Sequence, residues 1–231
     1  MMIGDETFTD NMDIDLLGID RVLKRGTGKI LEEREGALLA FDEVSGGYFL
    51  ACDDIALGCS MIDLYADECE LLMCTDIEVG RAVLERFGFK GTLECYQVAY
   101  YGEPPEVSTR LTVRVADKSD LPFLTKTYHL IDEEEMAKVV GRGSLLLAYE
   151  EGALVGFIGE HLEGSMGLLY ILPEHRRKGF ATELERLYIK KTIERGFIPF
   201  GQVEKSNSAS LILQEKLGLV KSDRLTCWLI K

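Results

Sequence analysis

The chain has 231 residues, 46% of them hydrophobic, enough to bury one large core or two modest ones. Its formal charge of −14 repels nucleic acid and anionic membrane surfaces, so neither is an expected partner. No apolar run reaches the ~18 residues of a membrane-spanning helix, so no span is expected.

Residues 1–12 are polar and without apolar period, the pattern of a frayed arm. Met1-Met2-Ile3-Gly4-Asp5 lacks the basic start and apolar stretch of a secretion signal. Six cysteines (Cys52, Cys59, Cys69, Cys74, Cys95, Cys227) include no C-x-x-C pair and sit mostly in apolar runs. They read as buried thiols, and the chain as cytoplasmic. Cys69 and Cys74 have no ligand-like spacing to His129, His161 or His175, so no metal is expected.

From Asp13 to Lys24, Ile14, Leu16, Leu17, Ile19, Val22 and Leu23 recur at helical spacing, and Gly26 and Gly28 stop the pattern. Strand-like runs follow at 30–33, 37–41 and 48–52, with glycines between them that read as hairpin turns. A helix is expected over 55–65, a buried strand over 70–74, a helix over 78–87 ended by Gly88, and a strand over 93–100.

Glu103-Pro104-Pro105-Glu106 marks a linker, because two prolines fix φ and remove two backbone donors. It divides the chain into residues 1–102, a linker over 103–110, and residues 111–231. All the excess negative charge lies in residues 1–110, with 9 Lys+Arg against 23 Asp+Glu; residues 111–231 hold 17 of each.

The second part opens with a strand at 111–115. Ser119 or Asp120 caps a helix to Leu130, and Asp132 caps another whose first turn holds Glu133, Glu134 and Glu135. Strands at 145–149 and 153–159 form a hairpin about Glu151-Gly152. Then Gly167–Leu172 reads as a buried strand ending at Pro173, Arg176-Arg177-Lys178-Gly179-Phe180-Ala181 as a basic glycine turn, and 181–195 as a helix. Strand, basic turn and helix in that order build an anion site. The helix N-terminus offers unpaired N–H groups and about half a positive charge, and Gly179 lets the backbone approach a diphosphate.

The turn is not a G-x-x-x-x-G-K-[ST] or G-x-G-x-x-G loop. It resembles the acyl-CoA loop of the GNAT acetyltransferase superfamily, [RQ]-x-x-G-x-[GA], through Arg176, Gly179 and Ala181. Ile171-Leu172-Pro173 resembles the superfamily's V-x-P strand end, Val203 precedes Asn207 by the usual four, and Asn207-Ser208-Ala209-Ser210 fits N-x-x-[AS]. Glu215-Lys216-Leu217-Gly218-Leu219 is similar to the closing E-K-L-G-F. Within the superfamily the glycine N-acyltransferase-like branch is most similar, through His175-Arg176-Arg177-Lys178-Gly179-Phe180 and Cys227-Trp228.

The two halves also resemble each other. Glu35-Gly36-Ala37-Leu38-Leu39-Ala40-Phe41 reads against Glu151-Gly152-Ala153-Leu154-Val155-Gly156-Phe157, and Glu85-Arg86-Phe87-Gly88-Phe89 against Glu215-Lys216-Leu217-Gly218-Leu219. The expected fold is therefore α/β with a mixed sheet, as two tandem GNAT-like domains. The first is degenerate, because Asp53 and Asp54 stand where the second has its cations and would repel a diphosphate. Its expected role is structural, and the whole is expected as a monomer or homodimer.

The resemblance implies acetyl-CoA or CoA held by Ile171, Leu172, Arg176, Arg177, Lys178, Gly179, Phe180, Ala181, Thr182, Asn207 and Ser210. Asn207 also reads as the N-cap of a helix over 208–216. An amine attacking a thioester needs a base; Glu163, Glu160, Glu204 and His161 are the candidates, and the resemblance favours Glu163. Many members of the superfamily place a tyrosine, as acid for the departing thiolate, where this chain has Gln214. The expected activity is transfer of an acyl group, acetyl foremost, from acyl-CoA to a primary amine of a small molecule or amino acid. The alternative is an acyl-CoA sensor without turnover.

Overall fold

The computed structural model describes residues 13–108 and 110–231; the expected arm at 1–12 lies outside them. The chain divides into two compact units. One groups the residues up to Ala99 with Gln202–Ile212 and Val220–Lys231; the other takes Tyr100–Gly201 and Leu213–Leu219.

In the first unit a single 3-10 turn, Ile14–Leu16, leads into α1 (Leu17–Lys24). The Asp13 carboxylate accepts the Asp15 N–H at the start of that turn. β1 (Gly28–Arg34), β2 (Ala37–Asp42) and β3 (Tyr48–Cys52) form an antiparallel meander. α2 (Ile55–Ile62) then crosses to β4 (Leu71–Cys74), parallel to β3, and α3 (Ile77–Phe87) leads to β5 (Gly91–Ala99). The C-terminal β11 (Val220–Ile230) completes the order β1-β2-β3-β4-β11-β5, antiparallel to both its neighbours. That pairing is why the last residues of the chain group with the first unit rather than with residues 111–219.

Strand β3 is apolar throughout because helices cover both faces of the sheet. Leu50 packs with Met61, Ile62, Val79 and Val83 of α2 and α3; its neighbour Phe49 points the other way, to Ile19 and Val22 of α1. Each such side chain contributes ~1.5–3 kcal/mol on leaving water. Helix α3 ends where the sequence indicates, at Gly88, whose φ of 70° closes it in the left-handed conformation. Helix α2 ends at Ile62, short of the expected Tyr65; Leu64 in the next turn is exposed, while Tyr65 and Ala66 pack on the core.

The second unit runs β6 (Thr112–Val115), α4 (Leu121–Thr127), α5 (Glu133–Gly141), β7 (Leu145–Glu150), β8 (Ala153–Glu160), β9 (Met166–Ile171) and α6 (Phe180–Glu194). β10 (Phe200–Glu204) and α7 (Ser208–Lys216) follow, each shared between the two units. Its strand order is β10-β9-β8-β7-β6, antiparallel except for β9 and β10, which the α6 crossover makes parallel. Asp132 caps α5 as expected, its carboxylate accepting the Glu135 N–H. Asp117, rather than Ser119 or Asp120, caps the 3-10 turn before α4. Helix α4 stops at Thr127 instead of Leu130 because Tyr128 turns out of it to pack edge-on against Phe157 and Tyr170.

Candidate functional site

Strand β9 carries a bulge. Gly159 pairs with Gly167 and Phe157 with Tyr170, so β9 holds one residue more than β8 between those pairs. Leu168, at the bulge and buried, has a φ of +50°, a conformation costly for a branched side chain. On its other side β9 meets β10 at the register pair Met166–Gly201. Beyond the bulge, Leu172 N–H donates to Val155 O at 2.9 Å. The Ile171 carbonyl accepts from Arg176 Nε at 3.0 Å, and the same guanidinium lies 5.4 Å from the Tyr170 ring centroid.

A 3-10 turn over Pro173–His175 then leads into the basic loop. Arg177 has a φ of +60° and Gly179 a φ of +87°, so the loop twice enters the left-handed region on its way into α6. Such alternation gathers successive N–H groups into a concave nest for an anion. Gly179 is the N-cap of α6 and no side chain caps the helix, which leaves the amides of Phe180, Ala181 and Thr182 without an intrahelical partner. A Cβ on Gly179 would meet no other part of the chain within 4 Å; within the fold, glycine is needed there for its φ. Arg176, Arg177 and Lys178 are exposed around the nest. The donor set fits a diphosphate: helix N-terminal N–H groups without intrahelical partners, a helix dipole behind them and exposed cations at the rim.

Arg110 fixes the loop from behind. Its Nη1 donates to Lys178 O at 3.0 Å and to Glu183 Oε1 at 3.4 Å, and its Nε to Glu150 Oε1 at 2.6 Å. The guanidinium stands 4.2 Å from the Phe180 ring centroid, and Phe180 is buried. The sequence gives no local signal for this, because Arg110 stands 68 residues before the carbonyl it holds.

The expected bases part company. Glu160 is buried and held by Arg195, Nη1 to Oε1 at 3.0 Å and Nη2 to Oε2 at 2.8 Å, a bidentate pair with the geometry of a structural tie. Glu163 is 7% exposed and accepts a hydrogen bond from the Ser165 hydroxyl. His161 lies in the same β8–β9 turn, its Nδ1 3.6 Å from Glu135 Oε1 on α5. Burial lowers the His161 pKa, but the Glu135 carboxylate and the charge of Glu163 outweigh it and raise it above the usual value. Glu204, Asn207 and Ser210 fall in the first unit. There Glu204 is exposed beside the Ser206 hydroxyl, and Asn207 Oδ1 accepts the Ser210 N–H at 3.1 Å, the geometry of an N-cap. Gln214 is buried in the second unit and donates to Glu185 on α6, a partner with no counterpart in the sequence pattern.

Helix α2 of the first unit begins differently. Asp54 caps α2, its carboxylate accepting the Leu57 N–H at 2.8 Å, so a fixed anion already occupies that N-terminus.

The model of the family described as FR47-like protein matches residues 145–229, from β7 to the end of the chain. No curated protein matches the chain in sequence. Among solved structures, a Drosophila protein covers 94% of this chain and 88% of its own at 14% identity, with a TM-score of 0.62. A GCN5-related N-acetyltransferase-like protein from Streptococcus suis covers 97% and 95% at 15% identity, with a TM-score of 0.57. A GCN5-related N-acetyltransferase from Kribbella flavida covers 94% of each chain at 11% identity, also with a TM-score of 0.57. Likenesses at this level of identity establish the fold: the chain has the mixed α/β fold of GNAT acetyltransferases.

Proposed function

We propose that this protein is an acyl-CoA-dependent N-acyltransferase that moves an acyl group, acetyl foremost, onto a primary amine of a small molecule or amino acid. The observation that carries the reading is the uncapped N-terminus of α6, where Arg177 and Gly179 turn left-handed and leave the first amides to an anion. The CoA diphosphate would lie on the amides from Phe180 to Thr182, ringed by Arg176, Arg177 and Lys178. The acyl arm would run back along β9 toward the bulge at Leu168, where the ladder to β8 is broken and a backbone N–H can steady the oxyanion.

The first unit repeats the order hairpin, strand, helix (β1–β2, β3, α2) that the second has as β7–β8, β9, α6. It lacks the nest. We read it as a degenerate copy with a structural role, and the chain as a cytoplasmic protein acting without nucleic acid or membrane.

Release of free thiol from acetyl-CoA against a panel of amines tests the proposal, which expects turnover with at least one primary amine. Gln214, which has no proton to give a thiolate, keeps a second reading in view, a sensor that holds acyl-CoA without turnover. Tight CoA binding with no thiol release on any amine would favour it.

A further inference from the structure

We infer that His161, oriented by Glu135, is the general base that takes the proton from the attacking amine; this rests on the acyltransferase reading above. The Nε2 edge of the His161 ring lies against β9 at Gly167, immediately before the bulge. A Cβ on Gly167 would stand 2.7 Å from Nε2 and 2.8 Å from Cδ2, so the strand has glycine where the imidazole needs room. The opposite ring nitrogen, Nδ1, faces the Glu135 carboxylate at 3.6 Å. A carboxylate on Nδ1 favours the tautomer with its proton there and leaves Nε2 as the acceptor.

The charged groups around the ring are Glu135, from α5, and Glu163, from the ring's own turn. Both stabilise the imidazolium that forms when the proton arrives. Glu163 is less suited to be the base. It is 7% exposed and already accepts from Ser165, whereas the His161 side chain is 29% exposed.

The step balances. The lone pair of the neutral amine forms the C–N bond, the carbonyl π electrons move to oxygen, and the amine proton passes to Nε2. Collapse of the tetrahedral intermediate breaks the C–S bond, and the thiolate takes the proton back from His161. Amide and free thiol leave, and the imidazole is again neutral. This return of the proton also supplies what Gln214 lacks.

The test measures kcat/KM against pH for acetyl transfer to the best amine of the panel, in wild type, H161N and E135Q, with CoA affinity measured alongside. H161N keeps CoA affinity and loses roughly 100-fold or more in kcat/KM, the usual worth of a positioned base. E135Q, in which the carboxylate that raises the histidine is gone, moves the midpoint of the alkaline rise to lower pH. The amine's own titration is common to all three and cancels in the ratios. Rates for H161N within threefold of wild type, or an unmoved midpoint in E135Q, would overturn the assignment and leave the acyltransferase reading standing. A wild type that transfers to no amine would overturn both.

Discussion

The side-chain amide of Gln214 donates a 2.7 Å hydrogen bond to Oε1 of Glu185, between α7 and α6, with both residues buried. The second carboxyl oxygen, Oε2, is buried and has no partner among the described residues. Burial raises the Glu185 pKa from 4.5 to about 7, and the Gln214 bond lowers it only in part. Between those values the folded chain holds a proton that the unfolded chain has released. Stability is therefore full below about pH 4.5 for this group and is lost as pH rises through about 7. Glu185→Gln removes that dependence. Urea midpoints at pH 5 and pH 8 check it: the variant gains on wild type at pH 8, by up to ~3 kcal/mol, and far less at pH 5.

Arg110 is predicted to matter for CoA without touching it. Arg110→Ala frees the Lys178 carbonyl and uncovers the Phe180 ring, so the nest is no longer held in its left-handed geometry. CoA affinity measured by calorimetry falls roughly tenfold, ~1.4 kcal/mol. Arg110→Lys restores only part of it, because an ammonium cannot serve Lys178 O, Glu150 and Glu183 together across one planar fork.

In the first unit Gly80, inside α3, faces Cys227 of β11, directly opposite Cys74 of β4. A Cβ on Gly80 would stand 2.1 Å from Cys227 Sγ, a contact no packing allows. Gly80→Ala gains ~1 kcal/mol of helix propensity and loses more to overpacking, ~1–3 kcal/mol. Cys227→Ala removes the sulfur and opens the space. In thermal or urea unfolding the double variant is more stable than the sum of the two single changes predicts, by ~1 kcal/mol or more.

What the sequence makes legible follows from how local each interaction is. The basic loop could be read because its cations, its glycine and the start of its helix are neighbours in the chain. The cap at Asp132 was legible for the same reason. The tie of Glu160 to Arg195, the hold of Arg110 on Lys178 and the approach of Glu135 to His161 each join residues 26 or more positions apart and leave no periodic trace. Nothing in the residues of strand β11 says that its partners are β4 and β5. The bulge at Leu168 was equally hidden, since a leucine gives no sign of a positive φ.

The claim on which the account depends is that the N-terminus of α6 binds the CoA diphosphate and that of α2 does not. The direct measurement is the shift in unfolding free energy on adding CoA to wild type, to a Gly179→Val, Arg176→Glu double variant, and to Asp54→Ala. At a hundredfold excess over Kd the account predicts a gain of ~2.7 kcal/mol for wild type and for Asp54→Ala, and none for the double variant, itself still folded. An equal gain in all three, or no gain in wild type, would contradict it.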